Sequence, residues 1–313
     1  MELHNFKFAE LRKSGFPKTG EIIFMDSRVN YIDNLRTAIV SLLIIYHLGI
    51  AYNSWGEANY IFFERVNFIA SIVVFISSWF MPLMFLLAGV SAAFSLKKRG
   101  YSDFIKERFA RLGIPLLFGI TIINPILSFI ADKSHNGYEG NYFEHYLIYF
   151  TRFTDLTGYD GGFTLGHFWF IAVLIIISCL ACGVIKIIDG ISRNNRKIML
   201  TINCFIIIAA IAVFDVTFWG KRIPALICLA KEYLDYSNKV SRYCARLSYV
   251  FYIVHFPIVV LCQYFISLTG VGSVYNFVLS LLISTIMTCS VCCMIEKNTV
   301  VSHLFGLRKN KVS

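Results

Sequence analysis

Asp33, Arg36 and His47 are the ionisable residues of an otherwise apolar segment, YIDNLRTAIVSLLIIYHLGIAY. Because an α-helix turns by 100° per residue, all three side chains share one helix face, and His47 lies about 16 Å beyond Arg36 along the axis. A histidine can remove a proton from a hydroxyl, and an arginine can hold a phosphate or a developing oxyanion. The stripe indicates group transfer, although a proton relay in a transporter uses the same residue types.

The chain that carries this stripe is too apolar for a soluble protein. Its 313 residues are 57% hydrophobic and only 15% charged, whereas soluble domains carry about 25% charged residues. Several apolar runs approach the roughly 20 residues that cross a bilayer as a helix. They predict seven spans, near residues 37–52, 68–94, 112–130, 166–188, 198–218, 247–268 and 274–295. The composition therefore excludes the cytosolic and secreted soluble classes.

The spans lack the alternating pattern of a membrane barrel, and helices satisfy their own backbone hydrogen bonds in lipid. The expected fold class is all-α, a polytopic transmembrane helix bundle with seven spans plus a short eighth. Residues 1–35 are expected to form a cytoplasmic N-terminal segment, residues 36–296 the transmembrane domain, and residues 297–313 a basic cytoplasmic tail.

The distribution of lysine and arginine predicts the orientation of the spans, because cytoplasmic loops are enriched in both. Basic residues concentrate after the second span and at the C-terminus, at Lys97, Lys98, Arg99, Lys106, Arg108, Arg111, Arg308, Lys309 and Lys311. Both termini are then cytoplasmic, and the acidic segment 131–165 lies on the opposite face. Seven crossings cannot produce this arrangement, so residues 223–236 are expected to form the short eighth helix.

The net charge of +10 and the nine cysteines do not indicate a nucleic-acid partner or a metal. The basic residues lie in short clusters between spans, where orientation explains them. The cysteines are odd in number and mostly lie in spans, which argues against a disulfide framework. The CxxC pair Cys179 and Cys182 and the adjacent Cys292 and Cys293 have no histidine nearby, so we expect core thiols and no metal site.

Several motifs in order along the chain resemble the acyltransferase-3 family of integral-membrane O-acyltransferases. The first span of that family has an Arg followed after ten residues by a His, usually with an Asp just before the Arg, and DNLR followed by TAIVSLLIIYH fits this pattern. The remaining motifs are FMPLMFLLAGVSAAFSLKKR with its small pair Ala88 and Gly89, RFARLGIP, GHFWFIAVL at 166–174, LSYVFYIVHFP at 247–257 and IEKNTVVSHLFGLRK. The HxWF and RLGIP forms are most similar to the branch that succinylates periplasmic glucans.

The resemblance implies an enzyme of the plasma membrane, the inner membrane of a bacterium. It would move an acetyl or succinyl group from cytoplasmic acyl-CoA to a hydroxyl of an extracytoplasmic carbohydrate, with no permanently bound cofactor. His47 is carried over as general base or proton shuttle, and Arg36, with Asp33 beside it, as the residue that positions the donor. Arg108 and Arg111 become candidates for the CoA phosphates. The other interpretation of these two arginines is plain orientation charge.

His167 and Trp169 are carried over as residues of the substrate pocket. His255, with Tyr252 one turn before it, is expected to line the same cavity, and core packing is the other interpretation. A partner that presents the acceptor on the outer face stays open.

The chain departs from the family in length, because family members generally have about ten spans. Two spans and part of a third are missing after Phe218, which leaves residues 223–236 as a shortened remnant. Two alternatives follow. One is a truncated, inactive relative, and the other is a proton-coupled exporter of small molecules or glycans, which the lack of an internal repeat disfavours.

Overall fold

A computed structural model describes residues 30–57, 59–97, 99–191 and 222–307. Over these ranges the chain is all-helical and has no strand, which confirms the predicted fold class for this part of the protein. The helices are α1 (Asn30–Ile50), α2 (Asn67–Lys97), α3 (Tyr101–His135), α4 (Tyr142–Thr151), α5 (Trp169–Ile191), α6 (Arg222–Tyr233), α7 (Lys239–Ser267), α8 (Ser273–Lys297) and α9 (Thr299–Leu304).

Five of the described helices are long and apolar enough to cross a membrane, so the predicted count of seven or eight spans is not confirmed. They comprise Asn67–Leu96, Tyr101–His135, Gly166–Lys186, Lys239–Ser267 and Ser273–Lys297. The first predicted span is helical as α1 but is not among these five. The predicted span 198–218 lies outside the described residues. The expected short helix is present as α6.

Helix α1 lies at the centre of the bundle, packed between α2 and α7 and also touching α6 and α8. One face of α1 is apolar and buried, with Ile39, Leu43 and Leu48 almost inaccessible to solvent. Gly49 sets the approach to α2, because a Cβ there would lie less than 3.0 Å from the side chain of Val73. Burying several aliphatic side chains at roughly 1.5–3 kcal/mol each explains why a helix with a polar stripe holds this position.

Helix α3 contains two π-helical turns, Phe109–Gly113 and Gly119–Ile123, each followed by a proline, Pro115 or Pro125. A proline inside a helix leaves the carbonyl four residues earlier without its usual N–H donor. Tyrosine hydroxyls from other helices supply the missing donors. Tyr249 donates to the Arg111 carbonyl at 3.2 Å, and Tyr146 donates to the Thr121 carbonyl at 3.0 Å. The prolines therefore interrupt the backbone bonding of α3 without leaving these two carbonyls unsatisfied.

Candidate functional site

A cavity of about 410 Å³ lies at the His47 end of α1, within the size range of small-molecule sites. Its walls come from α1, α2, α5 and α7, from the loop between α1 and α2, and from the loop between α4 and α5. The lining residues include Tyr46, His47, Glu57, Asn59, Tyr60, Phe80, Thr157, Tyr159, Thr164, His167, Trp169, Phe170, Tyr252 and Phe256. Aromatic rings dominate this wall, which also carries polar side chains.

His47 lies in the wall of this cavity, where its contacts are aromatic. Its ring centroid is 4.3 Å from that of Phe256 and 5.3 Å from that of His255, and it packs edge-on against Tyr46. The cavity side of the ring faces open volume. Helix α1 thus presents an imidazole to any molecule that enters the cavity.

His167 is held by a carbonyl that a proline has released. Pro257 lies inside α7, so the carbonyl of Ile253, four residues earlier, has no intrahelical donor. The Nε2 of His167 donates to that carbonyl at 3.0 Å. In the neutral ring Nδ1 then carries a lone pair, and this buried atom has no hydrogen-bond partner within the described residues. The proline kink therefore fixes both the orientation and the tautomer of His167.

Backbone carbonyls also set the tautomer of His255. Its Nδ1 lies 2.7 Å from the carbonyl of Tyr252 and 3.2 Å from that of Phe251, and since carbonyls only accept, Nδ1 must donate. The Nε2 then carries a lone pair and is buried without a described partner. The ring lies 5.7 Å from that of His167 and is fully buried. It stands beside His47, behind the wall of the cavity.

Tyr252 and Trp169 both line the cavity. The hydroxyl of Tyr252 donates to the backbone carbonyl of His167, which ties α7 to the start of α5. Trp169 is 42% exposed and its ring lies 6.1 Å from that of Phe85 on α2. The structure thus brings four predicted residues to the cavity wall, namely His47, His167, Trp169 and Tyr252, and places His255 directly behind it.

Asp33 and Arg36 lie near the opposite end of α1 and do not line this cavity. The guanidinium of Arg36 contacts the Asp33 carboxylate at 3.3 Å and donates to Ser91 Oγ on α2 at 2.5 Å. The Ser91 hydroxyl in turn donates to the Leu87 carbonyl. These partners fix the guanidinium between α1 and α2, and the apolar core side chains of α1 separate it from His47.

Arg108 and Arg111 lie at the first π-helical turn of α3, also away from the cavity. Arg108 is close enough to Arg36 and Arg111 for their charges to interact. Arg111 pairs with Glu107 at 3.7 Å, and the same carboxylate contacts Arg99. Three arginines from α1 and α3 therefore form a positively charged cluster, which we call the arginine cluster (Arg36, Arg108 and Arg111).

The loop 152–165 forms one wall of the cavity and is anchored by a buried carboxylate. The Asp132 carboxylate is 3.0 Å from Nε2 of His145 and 3.3 Å from Arg152. Gly161 has φ +79°, and a Cβ there would lie within 3.0 Å of that carboxylate. Burial lowers the pKa of His145, against the opposing effect of Asp132. The loop is therefore rigidly connected to α3 and α4.

The sequence pattern of this chain is matched by one family model. The acyltransferase-3 model, an acyltransferase domain, matches residues 29–223, which is more than half of the chain. The chain belongs to this acyltransferase family. No curated protein and no solved structure matches it.

The matched part of this acyltransferase contains the polar stripe of α1, the arginine cluster, and His167 with Trp169. Tyr252 and His255 lie beyond it, yet α7 places them against the matched residues. Within the described ranges, no three His, Cys, Asp or Glu side chains are placed to hold a metal ion. The expectation that the acyltransferase needs no metal stays a prediction.

Several residues of the site were not found by sequence reasoning. Ser91, the partner of Arg36, stands two residues after Gly89 of the small pair that the motif pointed to. Glu57 and Tyr159 belong to loops on either side of the cavity.

Proposed function

We propose that this acyltransferase moves an acetyl or succinyl group from acyl-CoA to a hydroxyl of an extracytoplasmic carbohydrate. The observation that carries the proposal is the cavity itself, in which His47 faces open volume beside His167, whose lone-pair Nδ1 has no described partner. An O–H group is a donor that such a nitrogen lacks. Alcohol substrates supply one.

The reaction that suits this site is direct transfer. His47 takes the proton of the acceptor hydroxyl as its oxygen attacks the thioester carbonyl, and the new C–O bond forms. The C–S bond then breaks, and the departing CoA thiolate takes a proton back, giving an ester and free CoA thiol. His255 stands against His47, with the two ring centroids 5.3 Å apart.

The arginine cluster is the proposed site for the phosphates of CoA. Guanidinium groups bind phosphate through paired hydrogen bonds, and the charges of Arg36 and Arg111 both act on Arg108. The cluster lies about 16 Å from His47 along α1. A flexible pantetheine arm joins the CoA phosphates to the thioester, so donor binding and chemistry can occupy opposite ends of one helix.

The proposed orientation follows from this arrangement. The arginine cluster faces the cytoplasm of a bacterial inner membrane, where CoA is present, and the cavity faces outward, where a glucan or another glycan is the acceptor. Both termini are then cytoplasmic. Aromatic side chains such as Tyr60, Tyr159 and Trp169 offer faces for a sugar ring in the cavity. The motifs shared with the glucan succinyltransferase branch support a glucan acceptor.

The proposal is tested with purified full-length protein in nanodiscs. Protein is incubated with radiolabelled acetyl-CoA or succinyl-CoA and with glucan, and free CoA and labelled glucan are measured together. Equal amounts of released CoA and transferred label support transfer. Failure to turn over either donor overturns the proposal. In that case, proton-driven glycan movement in proteoliposomes indicates an exporter, and its absence indicates an inactive relative.

A further inference from the structure

The described wall of the cavity carries an acidic side chain and no lysine or arginine. Among the described lining residues, Glu57 is the only Asp, Glu, Lys or Arg, and the rest are aromatic, aliphatic, or neutral polar side chains and two histidines. The arginine cluster is not part of this wall. An anionic group that enters the cavity therefore meets a carboxylate and finds no lysine or arginine to pair with.

Glu57 is held in place by its own loop. The side chain of Asn53 accepts hydrogen bonds from the backbone N–H groups of Gly56 and Glu57, at 2.9 and 3.2 Å, and donates to the Glu57 carbonyl at 2.8 Å. The indole of Trp55 donates to the Glu57 carboxylate at 2.7 Å. The position of this charge at the mouth of the cavity is therefore built into the loop.

The field of Glu57 reaches the opposite wall of the cavity. Tyr159, on the loop after α4, has its pKa raised to about 12, first by burial and next by the charge of Glu57. Tyr159 and Glu57 both line the cavity, so its negative potential spans the mouth from one loop to the other. This negative potential acts on any charged group that approaches His47 from outside or remains in the cavity after transfer.

We propose that Glu57 is a specificity-determining residue that makes the acyltransferase select an uncharged acyl group, acetyl over succinyl, and an acceptor sugar that is not anionic. This inference rests on the proposed function and narrows its donor. A succinyl group would bring its distal carboxylate into the cavity with Glu57 during transfer. Two like charges about 10 Å apart, at an effective dielectric constant near 20, correspond to roughly a tenfold penalty in kcat/KM.

The test compares Glu57→Gln with the wild type in nanodiscs, using acetyl-CoA and succinyl-CoA as donors. Glu64→Gln is the matched control, because Glu64 is an exposed acid of the same loop that does not line the cavity. Glu57→Lys is the second variant, since it places a cation where the distal carboxylate would lie. Thermal unfolding of each variant is recorded in the same nanodiscs.

We expect the wild type and Glu64→Gln to prefer acetyl-CoA by about tenfold or more in kcat/KM. Glu57→Gln removes most of that preference and Glu57→Lys reverses it. A preference that is the same in all four proteins overturns the role of Glu57, as does a wild type that prefers succinyl-CoA. If none of the proteins turns over either donor, the proposed function fails instead, so the two failures are distinguishable.

Discussion

Replacing Pro257 with alanine should separate stability from activity. The alanine N–H gives the Ile253 carbonyl an intrahelical partner and straightens α7, so the carbonyl moves away from Nε2 of His167. An added backbone hydrogen bond contributes about 0.5–1.5 kcal/mol, and the unfolding temperature should stay level or rise. Losing the hydrogen bond that orients His167 costs a similar free energy. A cost of that size corresponds to about a tenfold fall in turnover.

The assay is acyl transfer from labelled acetyl-CoA, with thermal unfolding measured on the same nanodisc sample. Pro82→Ala is the control, because Pro82 is also a proline inside a described helix and releases no carbonyl to His167. The double variant Pro257→Ala with His167→Gln should lose no more activity than His167→Gln alone, since both changes remove one interaction. Undiminished turnover in Pro257→Ala, or strictly additive losses, would refute the proposed positioning by the proline.

Three other predictions concern residues that pack behind the cavity or anchor its loop, and the proposed donor site. Gly119→Ala places a Cβ less than 3.0 Å from the ring of the fully buried Phe168, which must move by about 1 Å. We expect roughly 1–3 kcal/mol of destabilisation and a 10–100-fold loss of turnover. Adding Phe168→Leu to the same protein should restore part of both the stability and the turnover. Arg36→Lys removes the guanidinium group that contacts Asp33 and Ser91 at the same time. The KM for acyl-CoA should therefore rise about tenfold while kcat changes less, as measured by steady-state kinetics. Burial lowers the pKa of His145, so below about pH 6.5 the unfolded chain binds more protons than the folded one, and the free energy of unfolding should fall from pH 7 to 5. Asp132→Asn should lower the unfolding temperature at all of these pH values. His145→Gln should flatten the pH dependence of the free energy of unfolding.

Periodicity predicted the part of the site that lies on one helix. The steps between Asp33, Arg36 and His47 are sufficient to place them on one face, and α1 carries them as expected. The predicted apolar span starts at residue 37 whereas α1 starts at Asn30, because polar residues at a helix end lower the hydropathy that locates a span. Local rules thus recover the stripe but not the exact bounds of the span.

Contacts between distant segments were beyond the reach of spacing arguments. Nothing local to His167 indicates that it donates to a carbonyl 86 residues away, or that the proline after that carbonyl makes the bond available. The resemblance to the family placed His167 near Tyr252 and His255, and geometry supplied the tautomers. Glu57 escaped detection because a lone acid in a loop has no pattern until the opposite wall, with Tyr159, is in view.

The most direct test of His47 as the base is the rate of acyl transfer by His47→Gln. His303→Gln is the matched control, because His303 is an exposed histidine of α9 outside the cavity wall. With both variants folded in nanodiscs, His47→Gln should transfer label at least about a hundredfold more slowly than the wild type, as the loss of a general base requires, and His303→Gln should be unaffected. Transfer by His47→Gln at the wild-type rate would contradict the mechanism.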